Sequence, residues 1–179
     1  MSGGGPTAAG PAAEEADERY CPYMRRAIAE RWAGVWREVP AALAGEDPEG
    51  VHQVRVASRR LRAAMDVAAP CFPRSWYRPL HRAARDITGS LGEVRDRDVL
   101  IAELAQRLAD APDAPEAPDF ERAALERLLA RLERERAAAR ASMEAYLRSL
   151  LAGNLPAKLA RRFGPEAAPV PAPGDGGAP

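Results

Sequence analysis

Residues 51–65 read VHQVRVASRRLRAAM, and this stretch predicts an amphipathic helix. Arg55, Arg59 and Arg62 follow His52 at intervals of three and four, so the four side chains fall within about 80° around the helix. The apolar side chains lie on a different side: Val54, Ala57, Leu61, Ala64 and Met65. Such a helix can enter a core while its basic flank stays outside. Because crowded cations repel one another, this flank indicates an extended polyanion as partner.

The charge of the chain is balanced overall but unevenly distributed. Lys+Arg and Asp+Glu number 26 each. Residues 51–85 nevertheless hold eight arginines, both histidines and a single acid, Asp66. Lys158 is the only lysine, and arginine binds phosphate or carboxylate bidentately. Genomic base composition is the simpler explanation of the arginine excess, but it does not explain where the arginines lie.

Cysteine usage and hydropathy bear on location. Cys21 and Cys71 form no metal-ligand pattern, and we expect free thiols in a reducing compartment. The N-terminus has no apolar segment of the signal-peptide kind, and no run approaches the ~20 apolar residues of a membrane span. These features predict a cytoplasmic protein without membrane insertion, with association with an anionic body left open.

Helical periodicity predicts an all-α fold, an antiparallel four-helix bundle over residues 18–163 between disordered tails, 1–17 and 164–179. Asp47 and Pro48 predict the start of the second helix, which ends before Pro70. Pro40 should kink or end the first helix. The other helices are expected at about 22–43, from 75–79 to about 109, 119–153 and about 156–163, with core residues Trp32 and Trp36 and a bend or close helix contact at Gly89 and Gly92.

Two further basic rows are candidates for the same surface. They are Arg78, Arg82 and Arg85, and Arg95 within GEVRDRDV. The alternative is internal pairing, in which the nearby acids stitch the bundle: Asp86, Glu93, Asp96 and Asp98. We expect both to hold in part, with Asp96 and Asp98 bracing arginines. His52 is either an anion ligand near a helix N-terminus or a neutral histidine with a protein partner.

Motifs for catalysis are missing from the sequence. There is no Gly-rich phosphate loop, no zinc-ligand spacing and no serine or cysteine in a nucleophile motif. We therefore expect no catalytic residues, no metal site, no cofactor and no enzymatic activity.

Two segments resemble the CHAD family, the conserved histidine α-helical domain. HQVRVASRRLR (residues 52–62) matches the family helix H-x-L-R-V-x-x-R-R-L-R, with Val54 at the Leu position, and LGEVRDRDV (residues 91–99) matches the end of L-x-x-L-G-x-x-R-D-x-D-V. The resemblance covers roughly residues 20–163 and implies non-catalytic binding of inorganic polyphosphate, with association with polyphosphate granules. The site residues that it implies are His52, Arg55, Arg59, Arg60, Arg62 and Arg95, with Arg82 and Arg85 as the basic residues before the second motif.

The chain departs from the family in length. Family domains usually contain two four-helix bundles with a basic cavity between them, and this chain resembles the first half alone. Either one exposed groove suffices, or two chains pair as a homodimer to rebuild the cavity. A nucleic-acid-binding helical module is a second interpretation, and a scaffold with internally paired arginines is a third.

Overall fold

The computed structural model describes residues 11–110 and 119–170, and within these ranges the regular structure is entirely helical. This confirms the predicted all-α class. Five α-helices follow one another: α1 Pro11–Ala44, α2 Pro48–Ala68, α3 Arg74–Asp110, α4 Asp119–Ala152 and α5 Leu155–Phe163. Short 3-10 turns lie at Ala69–Cys71 and Pro165–Ala167.

The start of α2 is the one that the sequence predicts. The Asp47 carboxylate accepts a hydrogen bond from the Glu49 backbone N–H at 2.7 Å, and Pro48 is the first helical residue. This cap satisfies a backbone donor that has no partner within the helix. Local sequence therefore fixes the residue at which α2 begins.

Helix α1 is longer than predicted, and neither proline inside it ends it. It begins at Pro11, inside the predicted N-terminal tail, and passes through Pro22 and Pro40. Proline removes its own backbone N–H, but the buried side chains around Pro40, such as Val39, hold the helix against the core. The helix ends at Ala44, and Gly45 follows with φ of 74°, a conformation that favours glycine.

Helices α1 and α2 form an antiparallel hairpin that a disulfide closes. Cys21 and Cys71 are bonded, with their Cα atoms 5.3 Å apart, so the prediction of free thiols is wrong. The pairing was missed because the two cysteines are 50 positions apart, and only the hairpin brings them together. At the other end, a Cβ on Gly50 would lie 2.8 Å from the Ala41 carbonyl carbon, so glycine permits the close approach of α2 to α1.

The core lies where α1, α2, α3 and α4 meet. Its largest fully buried side chains include Trp32, Leu61, Ile87 and Met143, one from each helix. The core placement of Trp32 and Trp36 is thereby confirmed. Gly89 and Gly92 do not mark the expected close helix contact, since a Cβ on either would meet nothing within 4 Å.

The segment after α5 packs onto α1, although the sequence predicts a disordered tail from residue 164. Ala167 is fully buried, and its carbonyl accepts a hydrogen bond from Trp36 Nε1 at 3.1 Å. Composition alone pointed to a tail because this segment is rich in Gly, Ala and Pro. The rest of that predicted tail, residues 171–179, lies outside the described residues, as do residues 1–10.

The distal parts of α3 and α4 differ from the rest of the fold. None of the described side chains in residues 99–110 and 120–135 is buried, and we call these two segments the α3–α4 arm. Phe120, Val99 and Leu128 are exposed there. The apolar residues of the arm thus extend past the core that α1 and α2 supply. In residues 11–110 and 119–170, no helix has both the length and the apolar character needed to cross a bilayer.

Candidate functional site

The flank of α2 that faces α3 carries the basic residues. Ser58 marks this flank because its buried hydroxyl accepts a hydrogen bond from Thr88 Oγ1 of α3 at 3.1 Å. Arg55 and Arg62 lie one turn before and one turn after Ser58, and both are half-buried. Arg59, which is exposed, and His52, which is half-buried, follow the same flank nearer to solvent. Local helix geometry alone therefore brings four of the predicted site residues together.

Two contacts fix the antiparallel register of α2 and α3. One is the hydrogen bond between Ser58 and Thr88, and the other is the 2.7 Å contact between the Asp66 carboxylate and the His81 ring. With a helical rise of ~1.5 Å per residue, this register puts Arg95 level with His52 and Arg85 level with Arg62.

The basic residues of both helices therefore border one groove. We call it the α2–α3 groove. It is about 15 Å long, given the helical rise. Its basic residues are His52, Arg55, Arg59 and Arg62 of α2 and Arg85 and Arg95 of α3.

The arginines of the α2–α3 groove are mostly unpaired. Among the described residues, no carboxylate forms an ion pair with Arg55, Arg59, Arg62 or Arg95. Arg85 contacts Asp86 at 3.2 Å, but both side chains are largely exposed, and such pairs contribute little. The Nε atoms of Arg55 and Arg62 are buried without a hydrogen-bond partner in the described part of the chain. The groove thus offers cationic donors that the fold does not satisfy.

Where α3 contacts α4, the arginines are instead paired with carboxylates of the bundle. Asp98, only 3% exposed, accepts a hydrogen bond from Arg136 Nε of α4. Arg97 lies 3.7 Å from Glu135, whose pKa is lowered mainly by a hydrogen bond from Arg131. The expectation that Asp98 braces an arginine is therefore confirmed. For Glu93 and Asp96, the described residues include no arginine that pairs with the side-chain carboxylate, so the same expectation for Asp96 is wrong.

Two predicted site residues lie outside the α2–α3 groove. Arg60 is about 100° away from Arg59 around α2, and it lines a depression between α1 and α2 with Glu30 and Glu38. Arg82 is likewise about 100° away from His81, on a side of α3 turned away from α2. Sequence spacing could not separate these residues from the others because it does not reveal which flank of each helix faces its neighbour.

The structure also brings forward Arg74, which the sequence did not single out. Together with Arg78 of the predicted second basic row, it lines two depressions near the start of α3, one of them beside the Asp66–His81 pair. Gly92 lies level with Arg55, where the absence of a side chain leaves the α3 backbone open. The serine within the helical pattern, Ser58, was the one available signal for the α3-facing flank.

The described residues provide no group of three or more His, Cys, Asp or Glu side chains that could hold a metal ion. Asp66 and His81 contact each other at the end of the groove, and no third ligating side chain joins them among these residues. What the site has to offer a ligand is a row of hydrogen-bond donors with positive charge. That chemistry suits an anion with several regularly spaced oxygens.

The fold and the site together define a class of protein: all-helical, with a groove between two helices that is lined by histidine and arginine. Residues 26–177 match the CHAD domain, and the chain belongs to the CHAD family. The CHAD domain is associated with binding of polyphosphate or triphosphate. Neither the curated proteins nor the solved structures include a significant match to this chain.

Proposed function

We propose that this protein binds inorganic polyphosphate in the α2–α3 groove without catalysing its breakdown. The observation that carries the proposal is the set of unpaired arginines, Arg55, Arg59, Arg62 and Arg95, along one groove. A linear phosphate chain supplies acceptors at regular intervals over the whole length of such a groove. Members of the same family are associated with this ligand, which supports the choice.

The proposal makes a quantitative statement about salt. Five arginines border the groove when Arg85 is included, and each phosphate contact on a single strand contributes about −0.7 to the slope of log K against log[salt]. The slope is then about −3.5, so the affinity falls about 100-fold between 50 and 200 mM salt. Titration with long-chain polyphosphate at several salt concentrations measures this slope. A slope near zero contradicts binding along the groove.

Nucleic acid is the competing ligand that the experiment has to separate. Binding of single strands usually involves aromatic side chains on which bases stack. Tyr77 is buried, and the half-buried Trp76 has the Arg162 guanidinium 4.8 Å from its ring centroid. We expect polyphosphate to displace a single-stranded oligonucleotide of equal charge at fixed salt. Preferential binding of the oligonucleotide contradicts the proposal and favours a nucleic-acid-binding module.

We further infer that the four long helices form an antiparallel bundle. We also infer that two chains associate through the α3–α4 arm. On α2 and α3, the contacts between Ser58 and Thr88 and between Asp66 and His81 follow one another in opposite sequence directions, which supports antiparallel neighbours. The α3–α4 arm supports association, because Phe120 and Leu128 are exposed there and no described side chain of the arm is buried. A second copy would cover the arm and supply a second groove.

Light scattering with and without polyphosphate tests association. We expect a dimer for the native chain and a shift to monomer for Leu128→Glu, which places a charge on the apolar surface of the arm. Leu128→Ala, which keeps the surface uncharged, is the control and should remain largely dimeric. A native chain that is strictly monomeric in both conditions contradicts the inference.

We propose a cytoplasmic location at polyphosphate granules, where the ligand is concentrated. The Cys21–Cys71 disulfide argues against a reducing compartment, because disulfides persist mainly in oxidising ones, so the redox state of the pair is a second test of this location. Fluorescence microscopy of a tagged chain should show overlap with stained granules, and overlap should be lost in an Arg55→Ala, Arg59→Ala variant. Thiol quantification in protein isolated under alkylating conditions gives the redox state of the pair, and reduced thiols agree with the cytoplasm. A closed disulfide in that protein, or exclusion from granules, contradicts the proposed location.

A further inference from the structure

A second basic surface begins where the α2–α3 groove ends. Arg74, Arg78, Arg82 and Arg85 follow one another on α3 at intervals of four, four and three. At about 100° per residue, these four side chains fall within about 80° around the helix. Arg85 therefore belongs both to the groove and to this row. We call Arg74, Arg78 and Arg82 the α3 strip.

The α3 strip is open to solvent and unpaired. Its three arginines are exposed, and no described carboxylate forms an ion pair with any of them. Arg74 and Arg78 line two adjoining depressions, of about 310 and 340 Å³. Asp66 is the only acidic residue in the lining of either depression, and it is already bonded to His81 at 2.7 Å. The surface of the strip is thus concave and positively charged, with little internal neutralisation.

The groove and the strip together form a continuous path along α3. From Arg95 to Arg74 the helical rise gives about 32 Å, roughly twice the length of the groove alone. An extended polyphosphate has one phosphate per about 3 Å, close to the ~3.4 Å per charge along one DNA strand. The groove therefore spans about five phosphates and the whole path about ten.

We propose that bound polyphosphate continues from the α2–α3 groove onto the α3 strip, so that the protein selects chains of about ten phosphates or more over shorter ones. This rests on the proposed function, because it extends the same ligand beyond the same groove. Arg74 and Arg78 are then the residues that determine chain-length preference. The groove residues bind short and long chains alike.

The experiment compares two narrow polyphosphate fractions, averaging about five and about fifteen phosphates. The shorter chain is long enough for the groove alone, and the longer chain exceeds the whole path. The variant Arg74→Ala, Arg78→Ala removes two contacts of the strip. Arg26→Ala, Arg148→Ala is the matched control, since both arginines are exposed on other helices and have no ion pair among the described residues. Binding is measured by calorimetric titration at 0.1 M salt and at two higher salt concentrations.

We expect the strip variant to lose about 25-fold in affinity for the longer chain at 0.1 M salt, since two contacts contribute about −1.4 to the salt slope. Its affinity for the five-phosphate chain should stay within about threefold of the native value, as should both affinities of the control. Equal losses for both lengths, or native affinity for the longer chain, overturn the proposal. If the native protein binds neither fraction, the proposed function fails as well.

Discussion

Replacing Arg55 and Arg59 with alanine removes two of the unpaired cations of the α2–α3 groove. Two contacts at about −0.7 each change the slope of log K against log[salt] by about 1.4. The variant should therefore bind long-chain polyphosphate about 25-fold more weakly than the native protein at 0.1 M salt, and only about 5-fold more weakly at 0.3 M. The loss of affinity becomes smaller as the salt concentration rises, because the removed contacts contribute to binding through counterion release.

Calorimetric or fluorescence titration at these two salt concentrations measures both ratios. Arg26→Ala, Arg148→Ala again controls for the lost net charge, and circular dichroism checks that helix content is preserved. Alanine at position 55 also removes a half-buried side chain, so thermal unfolding of both variants belongs to the assay. A loss that is equal in the control, or that does not change with salt, refutes the assignment of the groove as the binding site.

Three further predictions concern stability. Cys21→Ser, Cys71→Ser should lower the unfolding free energy by up to about 4 kcal/mol, the entropic value for a loop of this length, in urea titrations; an unchanged midpoint would contradict a closed disulfide. Gly50→Ala should destabilise the protein because its Cβ would meet the Ala41 backbone. Gly92→Ala, which has open space around it, should stabilise the protein by up to about 1 kcal/mol. Thermal unfolding in which Gly50→Ala stabilises and Gly92→Ala destabilises would contradict this packing. Burial raises the pKa of Tyr77, so the unfolding free energy that this side chain contributes below pH 10 should decrease as the pH rises above 10. Tyr77→Phe should make this decrease smaller. Identical profiles of stability against alkaline pH for the native chain and the variant would exclude Tyr77 as the cause.

Local sequence signals account for much of α2. Asp47 and Pro48 predict its start, and the spacing of Arg55, Arg59 and Arg62 gives their common flank without any knowledge of tertiary structure. These features depend only on capping and on the helical period. The same period separates Arg59 from Arg60, although the two were grouped by the family motif.

Tertiary structure decides what the sequence could not. The pairing of Cys21 with Cys71 depends on the α1–α2 hairpin, and the burial of Ala167 depends on the position of Trp36. The side on which Arg82 lies follows from the α2–α3 register, which contacts distant in sequence determine. Helix α1 was predicted too short at its N-terminal end, because the Gly-, Ala- and Pro-rich composition of the first residues predicted a disordered tail there.

Arginine footprinting is the most direct test of the central claim, that unpaired arginines of α2 and α3 meet in one ligand-binding groove. The protein is treated with phenylglyoxal with and without long-chain polyphosphate, and modification is quantified for each arginine by mass spectrometry. We predict strong protection of Arg59 and Arg95, with little change at Arg60 and Arg148. Equal protection of the adjacent residues Arg59 and Arg60, or protection spread evenly over all helices, would contradict the account.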